Sequence, residues 1–83
     1  MLTILEKLFR QVVQEGLLEI EDARGRSYSF GPGGKPRVGI RLMDTGAEWE
    51  LLRDPALTLG ELYMDGRLRL ERGNVYDLLS LLH

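Results

Sequence analysis

Cysteine is absent from the 83 residues, histidine occurs once, and aromatic side chains make up only 7%. Without a thiol there is no disulfide framework, no zinc ribbon and no cysteine nucleophile. The lone histidine, His83, stands at the end of the chain, where catalytic geometry is hard to hold. It reads as a terminal or tag-adjacent residue and not as the base of a triad or a metal ligand. No apolar run approaches the ~18 residues that a membrane-spanning helix requires. The first residues, MLTILEKLFRQVVQEG, are broken by Glu6 and Glu15 and lead to no small-residue cleavage site, so they do not read as a signal peptide. A cytoplasmic location is the expectation. Also missing are a G-x-x-x-x-G-K-[ST] loop and a G-x-G-x-x-G turn. GPGGK at 31–35 shares only glycines and a lysine with a phosphate loop, and Pro36 follows it.

What is present is an ordinary globular balance, with 43% hydrophobic and 29% charged residues in one domain-sized chain. The net charge of −2 is unevenly placed. Residues 1–22 are net acidic and residues 42–83 are net acidic. Between them, residues 23–41 carry Arg24, Arg26, Lys35, Arg37 and Arg41 with no acid. This basic middle is the candidate contact for a polyanion, either nucleic acid or an anionic lipid surface, or else a solvated face. The negative total charge and the scarcity of aromatics count against nucleic acid, which is not expected as a partner.

Leu5, Leu8, Phe9, Val12 and Val13 fall on one face of a first helix. Thr3 and Glu6 have capping-box spacing at its start, and Gly16 is placed as its stop. Its polar face mixes both signs of charge, which favours packing on a core over lying in a membrane surface. Leu18 and Ile20, then Tyr28 and Phe30, alternate with polar residues around the turn DARGR, which predicts a hairpin. Residues 31–36 read as a loop. RVGIRLM, 37–43, reads as a third half-buried strand.

A second capping-box spacing, Thr45 and Glu48, precedes AEWELLR, a short helix ended by Pro55. Thr58 and Glu61 form a third box, with Leu57 and Leu62 spaced as a hydrophobic staple and Asp65-Gly66 as the stop. Glu61 and Asp65 are also an i, i+4 carboxylate pair that acid–base chemistry would need to bury together. The capping box and helix stop account for both without chemistry. RLRLE, 67–71, predicts a strand, and Asn74 caps a last helix with Val75, Leu78, Leu79 and Leu82 on one stripe. That stripe still runs at His83, which suggests a piece of a longer protein. The order predicts an α+β fold, a small antiparallel sheet packed with amphipathic helices. An apolar stripe from Val75 to Leu82 would also serve a dimerisation domain, and a curved sheet under helices could enclose an acyl cavity.

Residues 51–82, LLRDPALTLGELYMDGRLRLERGNVYDLLSLL, resemble the amino-terminal region of cyclopropane-fatty-acyl-phospholipid synthases and related lipid methyltransferases. The likeness rests on Asp54-Pro55, Leu59-Gly60-Glu61, Tyr63-Met64-Asp65-Gly66, the strand Leu68 to Glu71 and the leucine-rich end. FGPGGKPRVGIRLMD upstream is similar to that family's glycine–proline loop and following strand, so the resemblance covers essentially the whole chain. It implies a sterol carrier protein-like fold for residues 1–83 and a catalytic Rossmann-like domain downstream. It also implies a parent reaction that moves a methylene or methyl group from S-adenosylmethionine to unsaturated phospholipid acyl chains. The cofactor and the catalytic residues belong to that downstream domain, so no catalytic, cofactor or metal residue is assigned to this chain. Lipid or membrane engagement at the inner face, contact with the catalytic domain and subunit contacts are the roles the resemblance implies. The residues expected to meet anionic head groups are Arg24, Arg26, Lys35, Arg37 and Arg41.

Overall fold

A computed structural model describes residues 1–82, and His83, together with its reading as a bystander, lies outside the described residues. The element order is α1 (Thr3–Val12), β1 (Gly16–Glu21), β2 (Ser27–Gly33), β3 (Arg37–Leu42), α2 (Gly46–Leu51), α3 (Pro55–Met64), β4 (Leu68–Arg72) and α4 (Val75–Ser80). The four strands form one sheet in the order β2-β1-β3-β4. Helices and sheet share a single core, so the α+β expectation holds.

The sheet is mixed, not antiparallel. β1 pairs antiparallel with β2, with Leu18 opposite Phe30 and Ile20 opposite Tyr28. On its other side β1 runs parallel to β3, with Leu18 opposite Val38 and Ile20 opposite Ile40. β3 and β4 are antiparallel. Three successive strands with alternating apolar residues look alike whether they form a meander or place the first strand in the middle, because alternation reports only which face is buried. The glycine-rich segment decides the matter. β2 continues through Gly31 and Pro32 to Gly33, so only residues 34–36 are left to cross beneath the start of β1. The crossing is close: the Leu17 N–H donates to the Pro36 carbonyl at 2.9 Å.

Gly16 makes that crossing possible. It does not stop α1, which already ends at Val12 with Val13 extended behind it. Gly16 has φ +73°, and a Cβ there would come within 2.4 Å of the Pro36 carbonyl oxygen.

The core face of the sheet carries Leu18, Ile20, Phe30, Val38, Ile40, Leu42 and Leu68. Over it lie Leu5 and Phe9 of α1, Ala47 and Leu51 of α2, Leu59 and Leu62 of α3, and Leu78 of α4. Phe9 and Phe30 meet with ring centroids 5.4 Å apart. Leu81 and Leu82 join the same cluster, so most of the apolar stripe proposed for a dimer contact is spent inside the molecule. Val75 is half-buried and Leu79 is 36% exposed.

Three helix starts differ from the sequence-based boxes. α1 begins at Thr3, so Thr3 occupies the first helical turn and Leu2 is the cap, without a side-chain hydrogen bond. The Ala47 N–H at the start of α2 is taken by Asp44 Oδ1 at 2.9 Å, and Thr45 caps with its backbone alone. α3 begins at Pro55, a residue favoured in the first turn because its missing N–H is not needed there. The extended conformation that Pro55 imposes on Asp54 ends the preceding run, as expected, and also makes Asp54 the cap, accepting from the Leu57 N–H. Leu57 therefore sits inside α3 and is 61% exposed, and the Leu57–Leu62 staple does not form. Thr58 donates instead to the Glu50 carbonyl of α2, and Glu61 lies mid-helix. The Asp65-Gly66 stop and the Asn74 cap are as expected. The Gly66 N–H donates to the Tyr63 carbonyl and the Arg67 N–H to the Leu62 carbonyl, the paired bonds of a left-handed glycine cap. Asn74 Oδ1 accepts from the Asp77 N–H at 2.9 Å.

Two glycine substitutions separate conformation from space. Gly66→Ala meets open space and costs only the left-handed backbone penalty, about 1–2 kcal/mol. Gly16→Ala carries that penalty plus the overlap with Pro36 and Leu81, and is expected to be clearly the more destabilising in urea unfolding.

Candidate functional site

The hairpin tip is organised by one buried carboxylate. Asp22 follows β1 directly and is 1% exposed. Its Oδ1 accepts from the backbone N–H groups of Arg24 (3.0 Å) and Arg26 (2.9 Å). Its Oδ2 accepts from the Met1 ammonium (2.9 Å) and the Tyr28 hydroxyl (3.4 Å). The ammonium also donates to the Tyr28 oxygen at 2.7 Å. Next to it the Leu2 N–H donates to Glu48 Oε1 at 2.7 Å, which draws the carboxylate of α2, 6% exposed, into the same cluster. Glu48 thus caps a neighbouring chain segment and not its own helix.

Burial pushes the Asp22 carboxyl up, but the ammonium hydrogen bond and the two backbone N–H groups outweigh it and hold it at about 2. The ammonium is raised to about 10, chiefly by its hydrogen bonds with Tyr28 and Asp22.

Around this hub Arg24, Arg26, Thr45, Glu48 and the exposed Trp49 line an open concavity of about 310 Å³ with Met1 and Leu2. Trp49 is 64% exposed. A basic tip therefore stands beside an indole, and its backbone is tied down by Asp22.

The rest of the basic middle is elsewhere. Arg37 and Arg41 lie on the open face of the sheet, paired with Glu19 and Glu21 of β1, each at 3.0 Å. The parallel register places each pair on adjacent strands. Gly39 lies between the two arginines, and a shallow depression of about 390 Å³ spreads over it, lined also by Ser27, Ser29, Glu71 and Arg72. Lys35 sits at the opposite end of the hairpin from Arg24 and Arg26, beside Pro36, Asp77 and Ser80. The five basic residues thus form three sites. Tyr28 belongs to the Asp22 hub and Phe30 to the core. Glu61 and Asp65 are both exposed, on a surface hollow they share with Glu50 and Arg53, and do not form a buried pair.

A family model described as a domain of unknown function, DUF7884, matches residues 4–83. The chain belongs to the DUF7884 family. No curated protein matches it.

A second polar cluster fixes α2 in this DUF7884 chain. Arg67, just before β4, donates through Nε and Nη2 to both oxygens of Asp44 at 2.9 Å, and its Nη2 also pairs with Glu50 of α2. The Arg67 hydrogen bonds hold the Asp44 carboxyl below its usual range, and the two acids raise Arg67. The fork joins the residue that caps α2 to the start of β4, so the helix bearing Trp49 is anchored at its first turn. Asp22 and Asp44 were not singled out from the sequence, and Glu48 was read only as the capping-box partner of Thr45. An Asp closing a strand before a four-residue Gly-containing turn was the available signal for Asp22, since Asx side chains bond the backbone two residues on. Nothing local marks the partners of Glu48 or Arg67, which are distant in sequence.

Stability of the chain beginning at Met1 should follow the hub's two titrations. The lowered Asp22 contributes stability that is present above its unfolded value of 3.8 and lost as pH falls toward about 2. The raised ammonium contributes stability that is present below 8.0 and lost as pH rises toward about 10. Urea midpoints measured across pH should be highest between these limits, and Asp22→Asn should flatten both limbs.

Proposed function

We propose that the chain is a non-catalytic, membrane-engaging domain, and that it serves a cyclopropane-fatty-acyl-phospholipid synthase-like methyltransferase. The observation that carries membrane engagement is the single concavity shared by Arg24, Arg26 and Trp49. An indole is amphipathic and partitions to the level of lipid head groups. Each arginine near an anionic surface adds about 1 kcal/mol of attraction. Because Asp22 already holds the backbone of the tip, little ordering is left to oppose binding.

The enzymatic setting rests on the resemblance of residues 51–82, with Tyr63-Met64-Asp65-Gly66 at its centre. On that reading the parent uses S-adenosylmethionine, bound in a domain downstream of this one. The domain holds the enzyme at the cytoplasmic face of the membrane, where unsaturated phospholipid chains are the substrate. Among the described residues no helix is long and apolar enough to cross a membrane. The engagement proposed is through head groups, by Arg24, Arg26 and Trp49. Within the basic middle we propose Arg24 and Arg26 as the contact, since Arg37 and Arg41 are paired with Glu19 and Glu21 and Lys35 lies at the other end of the hairpin, away from Trp49.

Vesicle sedimentation at low salt tests this. The chain should partition to anionic vesicles and much less to neutral ones. Arg24→Glu with Arg26→Glu should reduce anionic binding at least about thirtyfold, the loss of two ~1 kcal/mol attractions. Lys35→Glu, at the other end of the hairpin, should change it little. Equal sedimentation with both vesicle types, or equal effects of the two charge reversals, would count against the proposal.

A further inference from the structure

We infer that β4 is a self-pairing edge, joining two copies of this chain into one continuous sheet about a two-fold axis through Leu70. β4 ends the sheet on one side. The Met43 N–H donates to the Arg67 carbonyl, which marks that opposite pair as hydrogen-bonded. Alternation along the antiparallel ladder then makes Arg41 and Arg69 a hydrogen-bonded pair and leaves the N–H and C=O of Leu68 and Leu70 pointing away from β3. Among the described residues no turn, cap or side-chain hydrogen bond takes up these groups.

The other edge strand, β2, carries Gly31, Pro32 and Gly33, which blunt it as a template. β4 has neither proline nor glycine, and its ladder with β3 is regular from Leu68 to Leu70 before a one-residue shift at Glu71 that sets Arg72 opposite Gly39. The charges on its open face alternate in sign, Arg69 then Glu71, and neither enters an ion pair among the described residues.

An antiparallel pairing with Leu70 opposite Leu70 of the second copy satisfies the outward N–H and C=O of Leu70 in both copies. It also sets Arg69 opposite the other copy's Glu71 and Glu71 opposite its Arg69. Opposite charges directly across a strand pair are favourable and like charges are not. A two-fold contact needs this self-complementarity. Leu70, packed at the margin of the core and half-buried, meets its counterpart on the helical side. The strand pairing is independent of the lipid reading and uses none of its residues.

Sedimentation equilibrium of the 83-residue chain from micromolar to millimolar concentration tests the pairing. The expected species at high concentration has twice the 9.5 kDa chain mass. Arg69→Glu alone and Glu71→Arg alone each place like charges opposite one another twice, and each should weaken the dimer about tenfold or more. The double reversal restores opposite charges and should restore the dimer. Amide exchange of the unmodified chain gives a readout that needs no variant: protection at Leu70 should rise with concentration. A monomer throughout, a dimer indifferent to both single reversals, or a dimer without added protection at Leu70 would overturn the pairing.

Discussion

The Asp22 carboxylate is the contact on which the hairpin end of this molecule depends. A buried acid is costly unless its charge is met and its lone pairs are used. Here one oxygen takes two backbone N–H groups of the hairpin tip, and the other takes an ammonium and a phenol. The first set gives the tip one shape. The second draws the start of α1 against the hairpin, and Glu48 extends the link to α2 through the Leu2 N–H. Three segments distant in sequence are therefore held together beside Trp49.

At the opposite end, the governing constraint is steric. β1 occupies an inner position because residues 34–36 pass beneath its start, and they do so against a residue with no side chain, Gly16. This crossing sets β3 parallel to β1 and so brings Arg37 and Arg41 into register with Glu19 and Glu21. The same backbone geometry that neutralises the middle of the basic segment leaves Arg24 and Arg26 as the part that remains beside an exposed aromatic.

Much of the fold was legible in the sequence because it is written in short-range patterns. The stripe of α1, the alternation in β1, β2 and β3, the Asp65-Gly66 stop and the Asn74 cap each need only a few neighbouring residues. The capping boxes at Thr3, Thr45 and Thr58 were legible but misleading. Residue spacing does not say which side chain caps a helix: Pro55 moved the start of α3 onto Asp54, while α2 keeps Thr45 at its N-cap position and Asp44 takes the Ala47 N–H. The parallel pairing was not legible, since a half-buried strand has the same alternation in either direction. For the site, the basic segment was visible as composition, but its division into three places depends on strand register. The Arg67–Asp44 fork and the Glu48–Leu2 bond join residues too far apart in sequence for any local signal.

Fold and site together describe a sheet with its helices on one face, a charged open face on the other, and a rigid basic tip beside a solitary indole. That indole is the only tryptophan in the chain, so it reports on its own surroundings without interference. Tryptophan emission during titration with vesicles is the most direct measure of whether this corner meets a membrane. The account predicts a shift to shorter wavelength with anionic vesicles at low salt, reversed by added salt and absent with neutral vesicles. Emission that stays unchanged with anionic vesicles would contradict it.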